Sequence, residues 1–262
     1  MDDVLAHDSE DDDDDGAHLD PDDETTNLEL AANDSHAASS TAGRSNNLPI
    51  MVEAPQIPFD LLGPRLRRGN GRHFPTKFVP YTFRNDHGKV LIRTDGACLN
   101  NGQPNPKAGW AFWHGLDHLG KRLIASGHLE KKGPFGDDSI QSSNRAELRA
   151  VIAALRFRHW PGEGFHTFVI ATDSEYAVEG STKWAKTWIE NGWTTRGRAD
   201  VKNRDLWEVL LGEIEGYKDY GMAVQFWKIP RDWNIVADAA AKDAAAEVDA
   251  PDEWREVFGI NC

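Results

Sequence analysis

From residue 86 onward the spacing of hydrophobic and polar positions changes period several times. Val90-Leu91-Ile92 is a short apolar run leading into Arg93-Thr94-Asp95, which predicts a buried strand over 90–95. Residues 108–114, with Trp110, Phe112 and Trp113, predict a second strand, and residues 121–128 a third. Gly-, Pro- and Asn-rich stretches separate them, as in an antiparallel meander. Over 143–158 the period becomes helical. Ala146, Leu148, Val151, Ile152, Ala154 and Leu155 share one wide face, with Ser142 or Ser143 as N-cap. The apolar run 166–172 suits a central strand parallel to the first. Residues 184–190 and 205–215 predict amphipathic helices, 223–229 a fifth strand, and 234–247 an alanine-rich closing helix. The expected fold class is α/β: a five-stranded mixed sheet flanked by helices.

Upstream of residue 86 this patterning is absent. Of 43 acidic and 29 basic residues, 15 acidic and only one basic, Arg44, lie in the first 50 positions. The formal charge of −14 therefore sits in that segment, and the remainder is neutral. Residues 1–50 are expected to be a disordered acidic tail, either solubilising or mimicking nucleic acid in cis. Residues 51–85, Pro-rich with Arg65, Arg67, Arg68 and Arg72, are expected to be a partly docked linker. A neutral folded part leaves a nucleic-acid partner open despite the low overall pI. Two cysteines, Cys98 and Cys262, are too few for a disulfide framework and lack zinc-site spacing, which suits a reducing interior. No apolar run approaches the roughly 18 residues of a membrane span. Met1-Asp2-Asp3 does not open a secretory signal. The expectation is an intracellular monomer, nuclear or cytoplasmic, with no membrane partner.

Four carboxylates stand inside short distinctive phrases. Asp95 lies in Thr94-Asp95-Gly96, Glu147 in Asn144-Arg145-Ala146-Glu147-Leu148, Asp173 in Thr172-Asp173-Ser174, and Asp238 in Ala237-Asp238-Ala239. Asp95 falls on the first strand and Asp173 ends the parallel strand, at the edge where open α/β sheets place their sites. Glu147 is expected in the first turn of its helix, and Asp238 near the start of the last. Carboxylates gathered in this way repel one another unless divalent cations lie between them. Hard oxygen ligands favour magnesium or manganese, and a close pair of such ions suits phosphoryl transfer.

These phrases, in this order, resemble the type 1 ribonuclease H family over residues 90–247, roughly 60% of the chain. The resemblance implies a ribonuclease H catalytic domain over 86–248, followed by a C-terminal tail over 249–262, and a eukaryotic, fungal-like member. It also implies hydrolysis of the RNA strand of RNA/DNA hybrids. Two Mg2+ ions, or Mn2+, would be held by Asp95, Glu147, Asp173 and Asp238. Residues 180–207 resemble the family's basic protrusion: Trp184, Trp188, Trp193 and Trp207 alternate with Lys183, Lys186, Arg196, Arg198, Lys202 and Arg204. The match carries a DNA-strand channel onto Trp184 and Trp188, and a phosphate pocket onto Ser142 and Asn203. It carries minor-groove contacts onto Asn101, Ser143 and Asn144.

The chain also departs from the family pattern. The loop before the last helix, Lys228-Ile229-Pro230-Arg231-Asp232-Trp233-Asn234, is short and has no histidine. Arg231 could supply the electrostatic part of that histidine's work but cannot shuttle protons. Ile140 stands where the family often has a phosphate-pocket arginine. Two other readings follow: a hybrid-binding protein with weak or lost catalysis, and a nuclease of the wider integrase-like superfamily with another nucleic-acid substrate.

Overall fold

Three short strands precede the first expected one. They are β1 (Leu62–Pro64), β2 (Phe78–Val79) and β3 (Tyr81–Phe83). This computed structural model describes residues 62–64, 78–117, 119–247 and 249–259. The acidic tail and the Arg65–Arg72 patch fall outside those residues. β3 turns through Arg84 and Asn85 into β4 (Asp86–Leu99), which runs well past the predicted 90–95 at both ends. The early part of β4 is polar and owes its extension to antiparallel pairing, with Thr82 opposite Val90 and Tyr81 opposite Leu91.

The expected strands follow as β5 (Lys107–Asp117), β6 (Arg122–His128), β7 (Thr167–Thr172) and β8 (Ala223–Lys228). β6, β5 and β4 pair antiparallel; β4, β7 and β8 pair parallel. The order of the main strands is thus β6–β5–β4–β7–β8; β3 pairs with β4 and with β1, and β2 pairs with β5. The fold is the expected mixed sheet flanked by helices.

The first helix, α1 (Ser143–Arg156), starts where the sequence places a cap: the Ser142 hydroxyl accepts the Arg145 amide hydrogen at 3.4 Å. Next come α2 (Glu175–Glu179), a π-helical turn over Gly180–Trp184, and α3 (Ala185–Glu190). Only the last of these was expected. α4 (Arg204–Asp219) extends beyond its predicted end, and α5 (Ile235–Ala246) closes the domain.

The two sheet faces bury different partners. Val90, Ile92, Phe112, Phe168, Ile170, Val224 and Phe226 meet Leu148, Ile152, Leu155, Leu206 and Leu210 in the main core. Leu91, Val169, Ala171, Trp227 and Ile229 face the other way, under Tyr81, Phe83 and Trp233. α5 packs on that second face through Ala241, against Ala97 and Ala111. Two glycines permit backbone-close helices. A Cβ on Gly96 would overlap the backbone of Ala146 and Glu147 in α1, and one on Gly109 would overlap Ala241 and Ala245 in α5.

The C-terminal segment lies against the domain. Glu130 and Arg149, both buried, form a bidentate pair. Arg149 also donates to the Arg255 carbonyl at 2.6 Å and lies 4.0 Å from the Trp254 ring centroid. Lys131 pairs with Asp252 and Lys132 with Glu253, and the Gly259 amide donates to the Phe157 carbonyl at 2.6 Å.

Candidate active site

Register alone brings two of the four acids together. Arg93 on β4 is in parallel register with Ala171 on β7. Two further residues along each strand stand Asp95 and Asp173, so the acids sit on neighbouring backbones about 4.8 Å apart. Beyond Arg93, β4 continues with β5 as partner (Asp95 opposite Ala111), while β7 ends at Thr172. Asp173 is therefore freed from the sheet at its carboxyl edge. Gly96 lets α1 lie directly on β4, bringing Glu147 over the same point. Glu147 is the fifth residue of α1, just past the first turn in which it was expected. Asp238 lies in the first turn of α5.

Asp95 lies within electrostatic reach of the other three acids. Asp95 is 6% exposed. Its carboxyl is held well above the ordinary carboxylate range by burial, then by Asp173, Glu147 and Asp238, with the Gly96 amide opposing. Burial pushes Glu147 up to about 8; the Ser174 hydroxyl and Arg231 pull it down, and Asp173 pushes it further up. Arg231 feels Asp173, Asp238 and Asp95 in turn, which hold its guanidinium charged.

Protein partners engage the acids. Asp173 accepts from the Asn234 amide at 2.6 Å and from Arg231 Nε at 3.3 Å. Glu147 accepts from the Ser174 hydroxyl. Lys242, one turn on, pairs with Asp238 at 3.4 Å. Among the described residues, no three His, Cys, Asp or Glu side chains stand ready-arranged around a cation. The donor set nonetheless fits hard divalent cations, being four carboxylates in mutual repulsion. Beside Asp173, the buried Asn234 Oδ1 adds a further oxygen with no donor among the described residues. Ser174 and Asn234 had not been singled out from the sequence. Their signals were position alone: Ser174 directly follows Asp173, and Asn234 lies one helical turn before Asp238.

Other expected contacts cluster on two sides. Asn101 donates to the Ser143 hydroxyl at 3.2 Å, beside the Ser142 cap and half-buried Asn144. Asn203, at φ +56°, begins α4. Its amide accepts from Arg145 at 3.5 Å and donates to the Tyr176 hydroxyl at 3.2 Å. Arg145 is fixed in turn by a bidentate pair with Asp205. Tyr176, Trp184, Trp188 and Trp207 pack in a closed ring of tilted and edge-on contacts, with centroids 5.3–6.2 Å apart. Trp184 is half-buried. Trp188 is 7% exposed and Trp207 fully buried, so both act inside the stack.

A mixed sheet with an acidic cluster at its parallel edge and helices on both faces is the architecture of RNase H-like hydrolases. The RNase H family model matches residues 87–246. The ribonuclease H of Treponema pallidum is 39% identical over 130 residues, covering 48% of this chain and 73% of that protein. The ribonuclease H of Cupriavidus metallidurans is 40% identical over 122 residues, covering 47% and 72%. The crystal structure of RNase H1 from Halobacterium salinarum is 22% identical with a TM-score of 0.37, covering 60% of this chain and 96% of that one. The chain belongs to the RNase H family, and its motifs are those of type 1.

Proposed function

We propose that this ribonuclease H is a divalent-metal-dependent endonuclease that hydrolyses the RNA strand of RNA/DNA hybrids. Asp95, Glu147, Asp173 and Asp238 would hold two Mg2+ ions, with Mn2+ as a substitute. One observation carries this reading: the β4/β7 register sets buried Asp95 beside Asp173, and Gly96 admits the Glu147 backbone of α1 against the same strand. When bound, such a pair of ions supplies an activated water and stabilises the departing 3′ oxygen.

The chain's own residues do the remaining work. Ser174 and Asn234 aim Glu147 and Asp173. Arg231, its side chain 64% exposed, pairs with Asp173 through Nε. Its terminal nitrogens would suit a non-bridging phosphate oxygen. Asn101, Ser143 and Asn144 form a short polar row suited to 2′-hydroxyls. Ser142 and Asn203 lie at helix N-termini, where backbone amides favour phosphate. Trp184, backed by Trp188 and flanked by Lys183 and Lys186, offers a stacking face to the deoxy strand. None of these groups requires base-edge contacts, so sequence preference should be weak.

The test is a panel of labelled RNA/DNA hybrid, double-stranded RNA and double-stranded DNA, with Mg2+ or Mn2+ and the Asp95→Asn variant alongside. Cutting confined to the hybrid, by the parent alone, is the expected result. Tight hybrid binding without cutting would replace this reading with that of a binding protein. Arg231→Ala should slow cleavage roughly tenfold while leaving hybrid affinity within about twofold. An unchanged rate and pH profile would remove Arg231 from the site.

A further inference from the structure

Among the groups around the acids, one residue contacts β4, Asp173 and α5: its side chain reaches the first two and its backbone the third. Asn234 is fully buried. Its side-chain amide donates to the Thr94 carbonyl, the residue before Asp95, at 3.0 Å, and to Asp173 Oδ1 at 2.6 Å. Its backbone carbonyl accepts from Ala237 at 2.9 Å and from Asp238 itself at 3.1 Å, closing the first turn of α5. Its own amide donates to the Arg231 carbonyl at 2.8 Å, fixing the turn that carries Arg231. A carbonyl and a carboxylate as partners assign the NH2 group to this end of the side chain, since both are acceptors.

We propose that Asn234 is a positioning residue. It sets the spacing between Asp95, Asp173 and Asp238 and fixes which lone pairs Asp173 presents. The chemistry explains why this position needs an amide. Two acceptors within hydrogen-bond reach of one nitrogen require two donated hydrogens, and a neutral amide supplies both without placing a further fixed positive charge where the cations would bind. Serine offers one hydrogen and a shorter reach. Aspartate keeps the shape, offers none when ionised, and adds a fifth negative charge. Lysine or arginine would bring a permanent positive charge into the place of the cations.

This proposal rests on the metal-dependent reading, and the controls separate the two. Parent, Asp95→Asn, Asn234→Ala and Asn234→Asp are compared on RNA/DNA hybrid across a Mg2+ titration. Mg2+-induced change in unfolding temperature is recorded as an activity-independent readout. Loss of this kind of ligand-orienting contact typically weakens metal affinity or activity about 10–100-fold. Both Asn234 variants should therefore show a raised Mg2+ midpoint, a kcat lowered by roughly tenfold or more, a KM for hybrid within about threefold of the parent, and a diminished Mg2+-induced stabilisation. Asn234→Asp should be the more impaired. Variants that are folded at the assay temperature and keep the parent kcat and Mg2+ midpoint would overturn the positioning role while the metal-dependent reading stood. A parent that cuts no hybrid would end that reading, and this one with it. Should both variants fail to fold, the Asn234 side-chain amide of the parent decides by NMR. Slow hydrogen exchange and a resonance that moves on Mg2+ addition support the role. Exchange as fast as that of exposed Asn191, with no response to Mg2+, overturns it.

Discussion

Asp95→Asn should make the metal-free protein more stable while destroying its activity. Asp95 and Asp173 follow the end of the β4/β7 register on backbones ~4.8 Å apart, so a carboxylate separation of about 5 Å is a working figure. At an effective dielectric constant of ~20, two such charges cost about 3 kcal/mol. Burial and the neighbouring acids hold the Asp95 carboxyl well above the ordinary 3.8, so the folded protein disfavours its charged form. Asparagine removes that penalty without changing the side chain's shape. Allowing for relaxation and for the hydrogen bond from the Gly96 amide, a net gain of ~2 kcal/mol is reasonable. For a domain of this size that is about 4–8 °C in Tm. The assay is thermal unfolding in EDTA and again in excess Mg2+. The parent should rise on Mg2+ addition; Asp95→Asn should start higher and respond little. A variant that unfolds earlier than the parent in EDTA, or gains as much from Mg2+, would refute the reasoning.

Further outcomes follow from the same contacts. Glu147 is raised from 4.5 to about 8, so the native state holds a proton that the unfolded state has lost throughout that window. The metal-free protein should therefore lose stability as pH rises from 6 to 8, by about 1–2 kcal/mol. Glu147→Gln should flatten that slope in urea titrations, and an unchanged slope would count against the assignment. Gly96→Ala would push α1 off β4; a loss of about 2 kcal/mol or more is expected, with kcat falling as Glu147 moves, and a silent substitution would show the close approach is unnecessary. Glu130→Gln should destabilise by about 3 kcal/mol, because it leaves buried Arg149 unpaired. Glu130→Leu combined with Arg149→Met should recover most of that loss in denaturant unfolding. Trp184→Ala should raise KM for hybrid severalfold at near-constant kcat, corresponding to about 1 kcal/mol of lost stacking; a matching fall in kcat would place Trp184 nearer the chemistry.

Much of this architecture is legible from residue patterns because the strands that matter are fully buried. Residues 90–95 and 166–172 read as strands since burial on both faces demands continuous apolar runs, and α1 reads as a helix since one wide face meets the sheet. The early half of β4 was not legible: Asp86 to Lys89 is polar, and its strand character comes from β3 across the hairpin. α2 and the π turn were missed because five residues are too few to show a period, although Ser174 is a good cap and accepts the Ala177 amide hydrogen. The docked C-terminal segment depends on Arg149 reaching the Arg255 carbonyl, 106 positions away, which no local pattern encodes. At the site, the acids announced themselves through their phrases. The partners that hold them did not: Asn234 and Ser174 act through tertiary hydrogen bonds, and the reach of Arg231 to Asp173 depends on how the Pro230 turn folds. Trp188 shows the opposite error, since an aromatic beside lysines reads as a contact surface but packs inward on Trp207.

The most direct measurement labels each strand of an RNA/DNA hybrid separately and follows cleavage in Mg2+ by the parent and by Asp95→Asn, Glu147→Gln, Asp173→Asn and Asp238→Asn. The expected result is internal cutting of the RNA strand alone by the parent, with each single replacement lowering the rate by about a hundredfold or more. Cutting of the DNA strand, cutting that persists in EDTA, or full activity in any of the four variants would contradict a cation site shared among these carboxylates.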